Sequence, residues 1–78
     1  MMSQRTFLRR FREETGTTPA RWITAQRVRH TQELLENTDL TVDAIADLVG
    51  FGTGATLRAR LRSTTGTTPV SYRRRFTA

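Results

Sequence analysis

The stretch ETGTTPARW, residues 14–22, recurs almost unchanged as TTGTTPVSY at residues 64–72. Glycine favours the left-handed conformation that ends a helix, and threonine followed by proline is typical of an N-cap and the first position of the next helix. Each copy therefore predicts a helix end, a tight turn and a new helix. A repeat of this kind within one short chain indicates two copies of one helical unit.

The correspondence extends beyond these two stretches when the chain is shifted by fifty residues. Residue type is kept at an apolar pair, at an aromatic residue and at two arginines. The paired positions are Phe7 and Leu57, Phe11 and Leu61, Trp22 and Tyr72, Arg10 and Arg60, and Arg12 and Arg62. We therefore expect each unit to be a helix with an apolar back and a basic front, a glycine stop, and a proline-started helix.

Capping residues and apolar periodicity predict an all-α fold. The expected N-caps are Ser3, Thr18, Thr41, Thr53 and Thr68. The longest predicted helix runs from Pro19 to Glu36, which at about 1.5 Å per residue makes a rod of about 27 Å. Its predicted buried face consists of Trp22, Ile23, Ala25, Val28, Leu34 and Leu35.

A chain of 78 residues forms at most one small domain, and it buries only about 60% of the surface that its unfolded form exposes. Because cysteine is absent, disulfides, thiolate metal sites and a cysteine nucleophile are excluded, which fits a reducing cytoplasm. No apolar run approaches the roughly 20 residues of a membrane span, and the start lacks the apolar segment of a signal peptide. We expect a soluble domain without a membrane partner, a cofactor or a metal ion.

The positive charge is concentrated in the second part of the chain. Residues 1–47 hold seven arginines and seven acids, so the net charge of +6 rests on residues 48–78, which carry six arginines and no acid. Lysine is absent, and arginine is the side chain whose planar fork matches phosphate groups and the guanine edge. This pattern indicates a polyanionic partner.

Residues 41–62 have the layout of a helix-turn-helix. A short helix carries Ala46 where close packing needs a small side chain, a glycine turn follows, and the next helix has one apolar and one polar face. In such a pair the second helix fits the major groove of DNA while the first braces it against the backbone. Two recognition helices joined by a rod indicate DNA binding more strongly than either helix alone.

Two segments resemble a known family. IADLVGFGTGATLRARLRSTTGTTPVSYRRRF, residues 45–76, resembles the second helix-turn-helix of AraC-type bacterial transcription regulators, with their I-A, G-F and G-x-x-P-x-x-Y-R pattern. MSQRTFLRRFREETGTTPARWITAQRVRHTQELLENT, residues 2–38, resembles their first recognition helix and connecting helix, as in members with an amidase-like sensor domain. The resemblance implies sequence-specific binding of double-stranded DNA by recognition helices in successive major grooves. It also implies a place in the bacterial cytoplasm at the nucleoid, with RNA polymerase as a further partner.

The chain departs from the family pattern at its start, because the family's domain begins with two further helices. What remains is a partial helix-turn-helix unit with the connecting helix, residues 1–37, and a complete unit, residues 38–78, which together form one domain. Phe7 and Phe11 would then lack part of their cover. We therefore expect marginal stability, self-association through these two side chains, or further sequence upstream.

The helical wheel and the resemblance agree on the base-contacting side chains of the first recognition helix, which are Gln4, Arg5, Leu8 and Arg9. Arg5 and Arg9 suit a bidentate contact to guanine. Leu8 has two open interpretations, contact with a thymine methyl group or packing in the core. The expected phosphate contact on this helix is Arg12.

The second recognition helix is predicted to contact bases through Gly54, Ala55 and Arg58. The repeat places Ala55 and Ala59 where the first helix has arginines, so the second helix lacks these long donors. Its expected phosphate contacts, together with one on the preceding helix, are Thr41, Thr53, Thr56, Arg60 and Arg62. We expect the first helix to supply most of the sequence readout and the second helix mostly electrostatic grip.

Several interpretations stay open at this point. Thr41 needs only its N-cap role, and the run from Arg73 to Arg75 either reaches the DNA backbone or forms a solvated terminus. Alternative functions are a non-specific basic fragment that binds DNA or RNA, and a basic amphipathic segment at a membrane surface. The helix ends and starts that glycine and proline indicate argue against a single amphipathic segment at a membrane surface. The carboxylate pairs have no nucleophile or cleft beside them, so we do not expect an enzyme.

Overall fold

The computed structural model describes residues 3–77, and within them the chain consists of five α-helices without a strand. They are α1 (Gln4–Thr15), α2 (Pro19–Asn37), α3 (Val42–Val49), α4 (Gly54–Thr65) and α5 (Pro69–Arg74). The all-α prediction is confirmed, and the long helix ends just beyond the expected Glu36. None of these helices is both long and apolar enough to cross a membrane.

The two Gly-Thr-Thr-Pro segments end and start helices in the same way. Gly16 and Gly66 close α1 and α4 with φ angles of 75° and 79°, a left-handed conformation that glycine adopts without strain. The hydroxyls of Thr18 and Thr68 then accept hydrogen bonds from backbone N–H groups in the first turn of the next helix, at 3.2 and 3.1 Å. These local interactions explain why the helix boundaries follow from the sequence.

The hydrophobic core belongs to the second unit, where α3 and α4 pack on the C-terminal half of α2. Its buried side chains are Val28, Leu35, Ile45, Ala46, Val49, Leu57 and Leu61. Thr31 is also buried, and its hydroxyl donates to the Arg27 carbonyl at 2.8 Å, so this polar group is satisfied. Burial of a large apolar side chain is worth about 1.5 to 3 kcal/mol, so this cluster supplies most of the hydrophobic stabilisation.

The first unit has no core of its own, because no side chain of α1 is buried. The ring centroids of Phe7 and Phe11 lie 6.0 Å apart, and Phe11 meets Trp22 edge-on at 6.3 Å. The contact with α1 covers little of this end of α2, so Trp22, Ile23 and Ala25 are exposed, and their predicted burial is wrong. The molecule is elongated, 51 × 20 × 19 Å, and its radius of gyration of 14.9 Å exceeds the roughly 11.5 Å of a compact chain of this length.

Arg73 anchors α5 to the end of α2. Its guanidinium group donates to the backbone carbonyls of Leu35 at 3.2 Å, Thr38 at 3.2 Å and Leu40 at 2.8 Å. Carbonyls at a helix end and in the loop that follows lack helical partners, and here one side chain satisfies three of them. Arg73 is therefore a structural residue, which neither interpretation of the C-terminal arginine run anticipated.

Tyr72 makes a second polar contact between the same two helices. Its hydroxyl donates to the Glu36 carboxylate at 2.9 Å. Burial and this hydrogen bond raise the pKa of Tyr72 above its ordinary value, so the hydroxyl remains a donor throughout the neutral range. Helix α5 is thus held by these polar contacts and by the buried Pro69, while Val70 and, beyond the helix end, Phe76 stay exposed.

We predict that Arg73→Ala lowers the free energy of unfolding by about 1 to 3 kcal/mol, because it removes charge-assisted hydrogen bonds and leaves backbone carbonyls unpaired. Arg74→Ala removes the same charge from an exposed neighbour and is the matched control. Urea unfolding followed by circular dichroism measures both variants. Equal unfolding midpoints for the two would contradict the structural role of Arg73.

Candidate nucleic-acid interface

The front of α1 is an exposed basic surface. Arg5, Arg9 and Arg12 are exposed, and Leu8, at 42% exposure, lies on this surface rather than in the core. Arg9 Nε is 4.0 Å from Glu13 Oε1, which is the single ion pair within residues 3–77. Both partners are about two-thirds exposed, so their attraction is weak. The positive charge of the described chain is therefore largely free to act on an external anion.

Helices α1 and α4 begin with the same capping arrangement. Ser3 Oγ accepts from the Thr6 N–H at 3.1 Å, and Thr53 Oγ1 accepts from the Thr56 N–H at 3.2 Å. Each capping hydroxyl also donates to the threonine hydroxyl, at 2.8 and 3.1 Å. Thr6 and Thr56 thus occupy matching places at the starts of the two helices. Thr56 is among the predicted contacts and Thr6 is not, although the fifty-residue shift pairs them.

Asp43 and Gly54 close the corner between α3 and α4. Asp43 Oδ1 accepts from the Gly54 N–H at 3.1 Å, and Gly54 is buried. A Cβ atom at Gly54 would collide with the Asp43 carboxylate and lie 3.0 Å from Arg58 Nη1. Gly54 therefore has neither an exposed surface nor a free N–H in this structure, and the base contact expected there stays a prediction.

The turn between α3 and α4 is braced by the connecting helix α2. Gly50 adopts a φ of 96°, and a Cβ atom there would lie 3.1 to 3.2 Å from the guanidinium atoms of Arg27. A side chain at this position would crowd the guanidinium group, and the left-handed φ also favours glycine. Arg27 thereby links the middle of α2 to the turn that sets the start of α4.

The other predicted contacts lie on exposed surface and fall into two groups. On α1 they are Gln4, Arg5, Leu8, Arg9 and Arg12. On α4 and its N-cap they are Thr53, Ala55, Thr56, Arg58, Arg60 and Arg62. Thr41 stands apart at the start of α3, where its hydroxyl accepts from the Ala44 N–H at 3.1 Å and so fills the N-cap role.

The start of α1 is electrostatically suited to an anion, and the start of α4 is less so. Helices α1, α2, α4 and α5 carry no acidic residue in the first turn, and α3 carries Asp43. A helix start bears a partial positive charge, which acidic side chains commonly complement. At α1 this field is left without a carboxylate, and it adds to the charge of the exposed arginines. At α4 the Asp43 carboxylate accepts from the Gly54 N–H and complements part of the field.

Two helices joined by a glycine turn, with a further basic helix at the other end of a long connecting helix, define a helix-turn-helix domain. A family model described as a helix-turn-helix domain matches residues 1–75. The chain belongs to this family. Named proteins and solved structures are similar to it along nearly its whole length.

Among curated proteins, the chain is 40% identical over 75 residues to the HTH-type transcriptional regulator Rv1931c of Mycobacterium tuberculosis, covering 96% of this chain and 29% of that protein. It is 37% identical over 71 residues to the HTH-type transcriptional regulator RipA of Corynebacterium glutamicum, covering 91% of this chain and 21% of that protein. The chain thus spans less than a third of the length of these relatives.

Among solved structures, the DNA-binding domain of AdpA, a global transcriptional factor in complex with a target DNA, has a TM-score of 0.90 and 44% identity. This similarity covers 96% of this chain and 68% of that one. The xylose-binding transcription activator XylR has a TM-score of 0.81 and 26% identity, covering 99% of this chain and 20% of that one. The chain belongs to the AraC-type helix-turn-helix family of transcription regulators.

We predict that Gly54→Ala destabilises the wild-type chain but not an Asp43→Ala chain. With Asp43 present, the added methyl group must displace the carboxylate and its hydrogen bond. Without Asp43, alanine in place of a helical glycine should stabilise by up to about 1 kcal/mol. Chemical unfolding of the four combinations measures the coupling, with Asp47→Ala as the control background. The same cost for Gly54→Ala in all backgrounds would show that Asp43 does not restrict this position.

Proposed function

We propose that the chain binds double-stranded DNA sequence-specifically and regulates transcription, by placing α1 and α4 in successive major grooves. The observation that carries this proposal is the exposed arginine front of α1, whose single ion pair within residues 3–77 is weak. The similarity to the AdpA domain, solved with a target DNA, supports it. The 19 residues of α2 span about 28 Å, which is of the order of the groove repeat of about 34 Å.

In this proposal, sequence readout falls mainly to α1. Arg5 and Arg9 are long, exposed donors that suit bidentate contacts to guanine O6 and N7, each worth about 1 to 3 kcal/mol of discrimination. Gln4 completes the polar contacts, and Leu8 offers an apolar contact to a thymine methyl group. On α4, Arg58 is the single long donor proposed to reach a base.

The proposed grip on the phosphate backbone uses side chains beside these base contacts. Its members are Arg12, Thr56, Arg60 and Arg62, to which we add Thr6 because its capping contact with Ser3 matches that of Thr56 with Thr53. Thr41 and Thr53 are secondary candidates, since both hydroxyls act as N-caps. Phosphate contacts position a protein on the duplex without reading sequence, so their loss should weaken binding to all sequences alike.

Further parts of the proposal concern partners and setting. We propose a non-enzymatic role at the nucleoid of the bacterial cytoplasm, with RNA polymerase as a partner and an amidase-like sensor in a longer protein. Self-association through Phe7 and Phe11 is a separate proposal. Their counterparts Leu57 and Leu61 are fully buried, whereas Phe7 is 48% exposed, so a second copy could bury apolar surface there.

Selection of binding sites from a random duplex DNA pool tests the main proposal. We expect an enriched motif with the wild-type chain, and loss of preference at two positions in the Arg5→Ala, Arg9→Ala double variant. Each lost contact should reduce discrimination about 5- to 150-fold at its base pair, which corresponds to 1 to 3 kcal/mol. The Arg10→Ala, Arg29→Ala variant loses the same charge outside the proposed base contacts and should keep the motif.

The alternative of a non-specific basic fragment is favoured by one observation, the lack of any buried side chain on α1. A weakly held helix would present its arginines without a fixed geometry. Tight binding to the pool without an enriched motif, or equal competition by double-stranded RNA, would support this alternative and contradict sequence-specific recognition.

A further inference from the structure

A cleft of about 400 Å³ lies between the N-terminal half of α2 and the C-terminal half of α4. Each helix contributes one arginine to its lining, Arg21 from α2 and Arg60 from α4, and no acidic residue lines it. Between the arginines the lining side chains are small. They include Ala20, Thr24, Ser63 and Thr64.

The cleft has the chemistry of an anion-binding surface. Arg21 and Arg60 are exposed, and neither is paired with a carboxylate in the described part of the chain. The hydroxyls of Thr24 and Ser63 donate to backbone carbonyls of their own helices at 3.0 and 3.2 Å, and a hydroxyl can rotate to donate to an anion instead. Two exposed arginines with no acidic residue in the lining match an anionic ligand such as a phosphate group.

The sequence position of Arg21 is also informative. It lies in the first turn of α2, where the partial positive charge of the helix start favours an acidic side chain over a basic one. A basic residue there makes the helix slightly less stable and strengthens the positive field at the mouth of the cleft. This arrangement favours anion binding over helix stability.

The cleft is lined by α4, one of the two helices proposed to read DNA, and by the part of α2 that directly follows the other, α1. Helix α1 joins α2 at its N-terminal end, and α4 packs against α2 further along. Two successive segments of the major groove on one face of a duplex are separated by a minor groove and its phosphate backbones. A duplex that contacts both helices therefore presents this intervening backbone to the protein surface between them.

We propose that Arg21 and Arg60 hold a phosphate of this intervening backbone across the cleft. The inference rests on the proposed function and deepens it, because it assigns to α2 a DNA contact that neither recognition helix provides. One arginine from α2 and one from α4 on the same phosphate tie the duplex to both helices at once. The contact thereby favours DNA sites in which the segments contacted by α1 and α4 lie at one fixed spacing.

Scanning with uncharged phosphates tests this inference on the 78-residue chain. The selected duplex is prepared as a series in which single phosphates are replaced by methylphosphonates. With the wild-type chain, we expect affinity to fall at a phosphate between the two contacted groove segments. With Arg21→Ala, the same methylphosphonate should lower the affinity little further, because the arginine that faces this phosphate has already been removed. Arg29→Ala, which removes an exposed arginine of α2 outside the cleft, should retain the loss.

Salt dependence provides a second measurement. Each phosphate contact contributes about 0.9 to the slope of log affinity against log salt, so Arg21→Ala should reduce the slope by about one without changing base preference. If no phosphate is coupled to Arg21 and its slope equals that of Arg29→Ala, the cleft inference is overturned while DNA binding stands. Failure of the wild-type chain to enrich any duplex would instead overturn the proposed function and the cleft inference with it.

Discussion

Packing of α3 and α4 on the C-terminal half of α2 is the interaction on which the rest of the structure depends. Ile45, Leu57 and Leu61 are completely buried there, and Arg73 fixes α5 to the same end of α2. Helix α1 contributes nothing to this core and is connected to it through the uninterrupted length of α2. The position of α1 relative to α4 is therefore set by a continuous helix rather than by packing between the two units.

Helix boundaries could be predicted because local hydrogen bonds set them. N-caps and glycine stops act within about four residues of chain, so the sequence around them is sufficient. Burial depends instead on which helices meet. The apolar pattern of α2 continues along its whole length, but α3 and α4 cover only one half of it, and Trp22 and Ile23 at the other end stay exposed.

The difference between local contacts and contacts between helices also explains which features of the candidate interface could be predicted. Exposure of Arg5 and Arg9 followed from their spacing on one face of a helix. The contacts of Gly54 and Arg73 were not anticipated because their partners are distant in the chain, at separations of 11 residues for the Asp43 contact and 38 for the Leu35 contact. The periodicity of a sequence does not show that a carboxylate on one helix accepts a hydrogen bond from a backbone N–H of the next helix. The cleft between α2 and α4 likewise exists only once the helices are assembled.

The exposure of Arg5 and Arg9 on the front of α1 has a consequence for how recognition by such a domain can evolve. Substitutions at exposed positions usually change the free energy of folding by no more than about 0.5 kcal/mol. The side chains on the front of α1 can therefore be exchanged with little effect on the core that α2, α3 and α4 form. Natural selection can alter ligand preference through this helix without first compensating a loss of stability, while the second unit preserves the fold.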